Sequence, residues 1–336
     1  MAVIGEALID LVIDRDGKVA ARPGGGPFTT ARTLGRLGAS PVYLGPLSGD
    51  GFGRLLRDRL RQDRVRLGMP TPTDVPTTLS AADVDDAGVA NYRFYLTGTS
   101  AAAVDYPALS AALHGAAPHG GASQGGASHG GASHGGVRAV YTGALALAMA
   151  PVASAIERLV TRGLPPDTLL VVDPNCRPAA VTDRTAYLAR LHRILRRADV
   201  VKASVDDLAY LAPHVPPDEA AHRLLDDGAC LVLVTDGPRA ARAFLPGIAL
   251  HSEVPHVHVV DTIGAGDAFG GAFLAWWLRN GLTRDDLKDP APVRRGLHAA
   301  AEVASLACTR PGADPPWLAE LAGSSRWAAA YGHNIP

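Results

Sequence analysis

Short apolar runs alternate with longer amphipathic ones along most of this chain, and no other feature constrains its fold as much. Strand-like runs are Ala2–Ile4, Val42–Leu44, Ala139–Tyr141, Leu169–Val172, Val200–Val201 and Leu231–Val234. Helix-like stretches lie among them: Thr30–Leu37, Gly53–Gln62, Pro151–Arg162, Thr185–Arg197, Pro217–Asp226 and Ala268–Asn280. Buried strands separated by helices predict a mainly parallel sheet covered on both faces. The 336 residues suffice for one large α/β domain or two smaller ones.

Two segments break the alternation. From about Thr77 to Leu96, polar and apolar residues alternate around Asp85-Asp86-Ala87-Gly88, which reads as a β-hairpin. With Leu8–Ile13 it makes a small sheet apart from the main one. In residues 114–136 the unit Gly-Gly-Ala-Ser-His/Gln recurs every five residues, headed by His119, Gln124, His129 and His134. Such a segment buries too little apolar surface to offset its ordering entropy, so a disordered surface insertion is expected; loose metal binding by its histidines is the alternative.

Chemistry concentrates in Val260-Asp261-Thr262-Ile263-Gly264-Ala265-Gly266-Asp267-Ala268-Phe269. It follows an apolar, strand-like Val257, Val259, Val260, turns through two glycines and enters an apolar helix. At such a helix start the unpaired N–H groups and the positive end of the dipole suit an anion such as phosphate. Asp267 stands beside it, where a carboxylate takes a proton from an attacking hydroxyl. Anion cradle plus base is what phosphoryl transfer to an alcohol requires; on the glycines alone, an ordinary helix cap is the other reading. No Gly-x-x-x-x-Gly-Lys-Ser/Thr loop is present.

Composition narrows the class. A net charge of −1 gives no global basic field for nucleic acid or membrane. Cys176, Cys230 and Cys308 are odd in number and widely spaced, which favours a reducing compartment. The first residues lack the pattern of a signal peptide, and the apolar stretches Ala144–Val152 and Phe269–Leu278 are too short to span a bilayer. A soluble cytoplasmic protein is expected.

The complete string Asp261 to Phe269 resembles the C-terminal signature of the ribokinase-like (PfkB) sugar kinases. Gly5-Glu6-Ala7-Leu8-Ile9-Asp10, Pro23-Gly24-Gly25-Gly26-Pro27-Phe28-Thr29-Thr30-Ala31-Arg32 and Gly49-Asp50-Gly51-Phe52-Gly53 resemble its N-terminal signature. The resemblance covers nearly the whole chain except the repeat at 114–136. It implies a single α/β domain over 1–336: a central, mainly parallel sheet flanked by helices, with a small β-sheet lid from about 8–13 and 77–96. It also implies a homodimer joined through that lid.

The family's activity is ATP-dependent phosphorylation of a sugar, and the chain looks most like bacterial fructokinases. By resemblance Asp267 is the general base, and the amides of Gly264, Ala265 and Gly266 hold the transferring group. Asp10, Gly24, Gly25 and Thr29 lie at the sugar; Thr29 stands where the family usually has Asn, so one hydroxyl replaces an acceptor and an NH₂ donor pair. Arg177, in Asp173-Pro174-Asn175-Cys176-Arg177, meets phosphate or sugar oxygens or else closes a structural turn. Ser204 and Asp207 match an Asn-x-x-Glu that organises Mg2+ through water, with Asp206 a rival and a plain helix cap the alternative. Thr235 and Gly237 match the Thr-x-Gly that lies along ATP. Asp261, Ile263, Ala307, Arg310 and Gly312 match positions whose backbone oxygens hold a monovalent cation such as K+. Fructose to fructose 6-phosphate is the expected reaction. 2-Keto-3-deoxygluconate, ribose and a nucleoside are the other acceptors, and a non-catalytic sugar-binding regulator is the reading from another class.

Overall fold

The computed structural model describes residues 1–14, 16–69, 72–84, 90–116, 136–322 and 327. The hairpin tip at 85–89 and all but the ends of the repeat, residues 117–135, lie outside the described residues. Thirteen strands are described: β1 Ala2–Ile4, β2 Leu8–Ile13, β3 Val19–Gly24, β4 Val42–Leu44, β5 Arg66–Leu67, β6 Leu79–Val84, β7 Ala90–Tyr95, β8 Ala139–Gly143, β9 Leu169–Asp173, β10 Val200–Ser204, β11 Leu231–Thr235, β12 Ala241–Leu245 and β13 Ile248–Ser252.

Nine of them form one sheet in the order β13-β12-β11-β10-β9-β8-β1-β4-β5. All its neighbours are parallel except β11–β12 and β12–β13. The inner strands β1, β8, β9, β10 and β11 are apolar on both faces because both faces are covered. Val3, Leu169, Val171, Leu231 and Leu233 pack with Phe28, Phe273, Trp276 and Trp277 on one side. Ile4, Leu170, Val172, Val232 and Val234 pack with Leu109, Ile156 and Leu191 on the other. Period-2 partition of an apolar strand between two cores is what buries a parallel sheet.

The smaller sheet runs β3-β2-β6-β7, with β2 and β6 parallel and the other pairs antiparallel. The expected pairing of Leu8–Ile13 with the 77–96 hairpin is present, and β3 extends it. Several boundaries differ from the sequence pattern. Residues 19–24 form a strand that the sequence pattern does not mark, and the following helix starts at Gly26, so Thr29 lies inside Gly26–Arg36. Val257, Val259 and Val260 are not a strand; they lie in an extended loop, with Val259 and Val260 more than half exposed. Val260 N donates to the Cys308 carbonyl at 2.8 Å, a single contact with a helix end rather than a rung of a ladder. β10 continues to Ser204, so Lys202 lies on the strand. The sequence pattern does not mark the helix Pro290–Ala307, although Val293, Leu297, Ala300 and Val303 are buried at helical spacing.

Candidate active site

The carboxyl ends of β1, β9, β10 and β11 and the inner face of the small sheet enclose a cleft of about 1010 Å³, where open α/β sheets place their ligands. The helix Ala265–Arg279 points its N-terminus into it. Its cap, Gly264, is left-handed at φ 78°, and a Cβ there would stand 2.6 Å from that of Ala313. Glycine is therefore required twice over, by conformation and by space. The turn brings the amides of Gly264, Ala265 and Gly266 to one cleft wall.

Asp267 is the third residue of that helix and does not cap it. Its Oδ1 accepts from Asn175 Nδ2 at 3.2 Å, and its backbone oxygen accepts from Thr30 Oγ1 at 3.3 Å. A side chain at Gly26 would crowd Asp267 Oδ1 at 3.1 Å, so the start of the Gly26–Arg36 helix packs directly beneath the carboxylate. Burial, then the neighbouring Asp173, push the Asp267 carboxyl up to about 6, against the opposing pull of Lys202 and Arg177. A carboxylate so placed is a base poised close to neutral pH. Behind it Glu6 accepts from Gly26 N at 3.2 Å and Ala146 N at 2.9 Å; burial raises it to about 8.

Across the cleft, Asp10 accepts a hydrogen bond from Ser80 Oγ, its register partner on β6, and burial raises its carboxyl above the usual range. Gly24 leaves room for that carboxylate, since a Cβ there would collide with Asp10 Oδ2. Gly24, Gly25 and Thr29 line the same wall; Thr29 is buried, its methyl turned toward Gly264. Tyr92 and Phe94 of β7 stack at 6.2 Å and close the cleft from the small sheet. Arg177 is exposed at the rim, its Nη1 donating to the carbonyls of Asn175 and Cys176.

Ser204, Asp207, Thr235 and Gly237 all line the far end of the cleft. Ser204 and Asp207 form a reciprocal capping box at the start of Val205–Leu211. Asp207 Oδ2 accepts from Ser204 N and Oγ, while Oδ1 accepts from Cys176 N at 2.6 Å. The helix start is thus not an exposed acidic one at this residue: Asp207 is buried and its oxygens are taken, while Asp206 is exposed.

Of the five residues matched to a monovalent-cation site, Ile263 lines the cleft and Asp261 and Gly312 meet beside it. The Asp261 carboxylate accepts from Arg22 Nη1 at 3.1 Å, Ile263 N at 3.0 Å and Gly312 N at 2.8 Å. Arg310 pairs with Glu320, and Ala307 is buried. The Asp261 and Arg310 side chains are engaged and Ile263, Ala307 and Gly312 offer no polar side chain, so any cation there rests on backbone oxygens. No cluster of three or more His, Cys, Asp or Glu suited to a metal occurs among the described residues. Asn175 and Glu6 are cleft residues that the sequence motifs contain without an assigned role, and Lys202 is one that they leave out. Lys202 had a readable signal, a charged residue inside an apolar strand.

A model of the pfkB family of carbohydrate kinases matches residues 1–114 and 157–320. The chain belongs to this family. It is an ATP-dependent carbohydrate kinase with the ribokinase-like fold, and the unmatched interval includes the repeat. A fructokinase from Rhizobium leguminosarum bv. trifolii is 30% identical over 81% of this chain and 77% of its own length. One from Salmonella typhimurium is 28% identical over 84% and 86%. Among solved structures, fructokinase with bound ATP from Xylella fastidiosa superposes with a TM-score of 0.80 at 25% identity, covering 93% of each chain.

Proposed function

We propose that this kinase phosphorylates fructose at a primary hydroxyl to give fructose 6-phosphate. The fructokinase relatives support fructose as acceptor. The observation that carries the chemistry is Asp267, raised to about 6 and set at the anion turn Gly264-Ala265-Gly266. The sugar lies against Asp10 and the Gly24–Gly25 wall, with Thr29 and Arg177 at its edges. ATP extends past Thr235 and Gly237. Mg2+ would come with the nucleotide, and the Asp207 carboxylate, which already accepts three hydrogen bonds, would with Ser204 meet it through water rather than by direct ligation. K+ held by the backbone oxygens of Asp261, Ile263, Ala307, Arg310 and Gly312 is part of the same reading.

The acceptor oxygen attacks the γ-phosphorus and its proton passes to Asp267. The bond from γ-phosphorus to the bridging oxygen breaks, and ADP leaves with that electron pair. Amides of the turn meet the charge on the transferring group. The small sheet over the sugar excludes water as a competing acceptor. Free thiols at all three cysteines accord with a reducing cytoplasm, and no described helix is long and apolar enough to cross a membrane. ADP release from Mg-ATP across fructose, ribose, 2-keto-3-deoxygluconate and a nucleoside tests the reading. Highest kcat/KM with fructose is expected. Preference for another acceptor overturns the substrate, and sugar binding without ADP release makes the protein a regulator.

A further inference from the structure

We propose that Lys202 is a catalytic residue whose ammonium reaches the transferring phosphoryl group and completes the anion turn of Gly264, Ala265 and Gly266. The proposal rests on the placing of γ-phosphate at that turn. Lys202 is the third residue of β10, Val200-Val201-Lys202-Ala203-Ser204, whose first four residues are all buried. The lysine is only 3% exposed, yet it lines the cleft. A Cβ built on Gly266 would stand 2.8 Å from Nζ, so the ammonium lies directly against the turn, and the glycine interposes no side chain.

The ammonium has three N–H donors. Asp173 Oδ2, at 2.9 Å, is the one hydrogen-bond acceptor it has among the described residues. Asp173 Oδ2 also accepts from Tyr141 OH at 3.1 Å, which holds the carboxylate in place. Burying such a pair is costly, and an apolar pair of similar volume would serve stability as well or better. A site for a polyanion supplies a reason to keep it. Burial opposes the charged form of the lysine, but Asp173, Asp207 and Asp267 together outweigh it and hold the ammonium above its ordinary value, so it remains a cation beside the base. As the acceptor–phosphorus bond forms and the bond to the ADP oxygen breaks, charge on the peripheral oxygens of the phosphoryl group falls between the turn amides and Nζ. A fixed cation in a water-poor site is worth most at that moment.

The test compares the wild type with Lys202→Met and with the double variant Lys202→Met/Asp173→Asn, which leaves no unpaired buried charge. Readouts are kcat, the sugar KM, ADP affinity by calorimetry and the melting temperature. Removing one such donor typically costs about 10²–10³-fold in kcat, and that loss is expected in both variants. The sugar KM and the ADP affinity should stay near wild-type values. Wild-type kcat in Lys202→Met overturns the proposal. So does recovery of turnover in the double variant, because the lysine then merely neutralises Asp173. If Lys202→Met fails to fold, the double variant decides alone. A wild type that releases no ADP with any sugar removes the reading of the site, and the lysine's role with it.

Discussion

Asp267, the proposed base, carries a cost in stability. Its carboxyl sits at about 6 in the folded protein against 3.8 for a free one, with burial the main cause. Between those values the folded state holds a proton that the unfolded state has released, so stability is lost as pH rises from about 4 to 6. Above 6 the cost of a buried carboxylate is fully present. Asp267→Asn should therefore stabilise the protein at pH 7.5 by on the order of 1–3 kcal/mol, a gain that shrinks toward pH 4. Thermal melts at the two pH values check this. The same variant should lower kcat by about 10²–10⁴-fold, and turnover near wild type would show that Asp267 is not the base. In the wild type kcat/KM should fall as pH drops through about 6, where the base takes up its proton. Asp10 makes a separate test. Charge-assisted hydrogen bonds are worth roughly 1.5–3 kcal/mol, so Asp10→Ala should cost about 10- to 150-fold in kcat/KM for the sugar. ATP affinity should not move; an unaffected sugar would place the acceptor elsewhere.

At the scale of elements, the small sheet presents two different faces. Tyr92 and Phe94 of β7 look into the cleft, whereas Tyr95, one residue on, is 57% exposed, and Val19 of β3 is 54% exposed. Exposed apolar side chains on a two-sided sheet suit a second copy of the chain, and we infer a homodimer joined through this lid. Val19→Glu with Tyr95→Glu should then shift the protein to monomer in light scattering. An unchanged mass would remove the lid from the interface. Elements with strong periodicity were legible in the sequence: β1, β4, β8, β9, β10 and β11 fall where apolar runs stand, and Pro217–Asp226 matches to the residue. β12 and β13 passed unread because Ala241–Leu245 and Ile248–Ser252 mix arginine and histidine with apolar residues, as an edge hairpin allows.

For the whole molecule, the repeat is the one long segment that the family match leaves aside together with its flank. It joins Ala116, whose carbonyl accepts from Arg66 Nη2, to Gly136 just before β8. Both sides are tied into the fold without it. Replacing residues 117–135 with a short Gly/Ser linker should leave turnover and the melting temperature nearly unchanged, since loop closure changes by only about 0.6 kcal/mol per doubling of length. Loss of folding, or activity that depends on a metal held by His119, His129 and His134, would contradict this.

What the sequence determined by itself was what depends on neighbours along the chain. Period-2 and period-3.6 burial announces a covered parallel sheet, and Gly264-Ala265-Gly266-Asp267 announces an anion turn with a carboxylate beside it, because a helix start and its first-turn residues are local. The tertiary structure decided what depends on residues far apart. Only packing shows that Asn175 meets Asp267 across 92 residues, that Glu6 clamps Gly26 and Ala146, and that Lys202 lies against Gly266. Only packing buries Asp207 and brings Cys176 N to its second oxygen, and pairs Asp261 with Arg22. The physical reason is the range of the forces involved: periodicity and capping act within a turn or two, whereas desolvation and charge coupling, which set the Asp267 carboxyl near 6, depend on everything the fold brings around it.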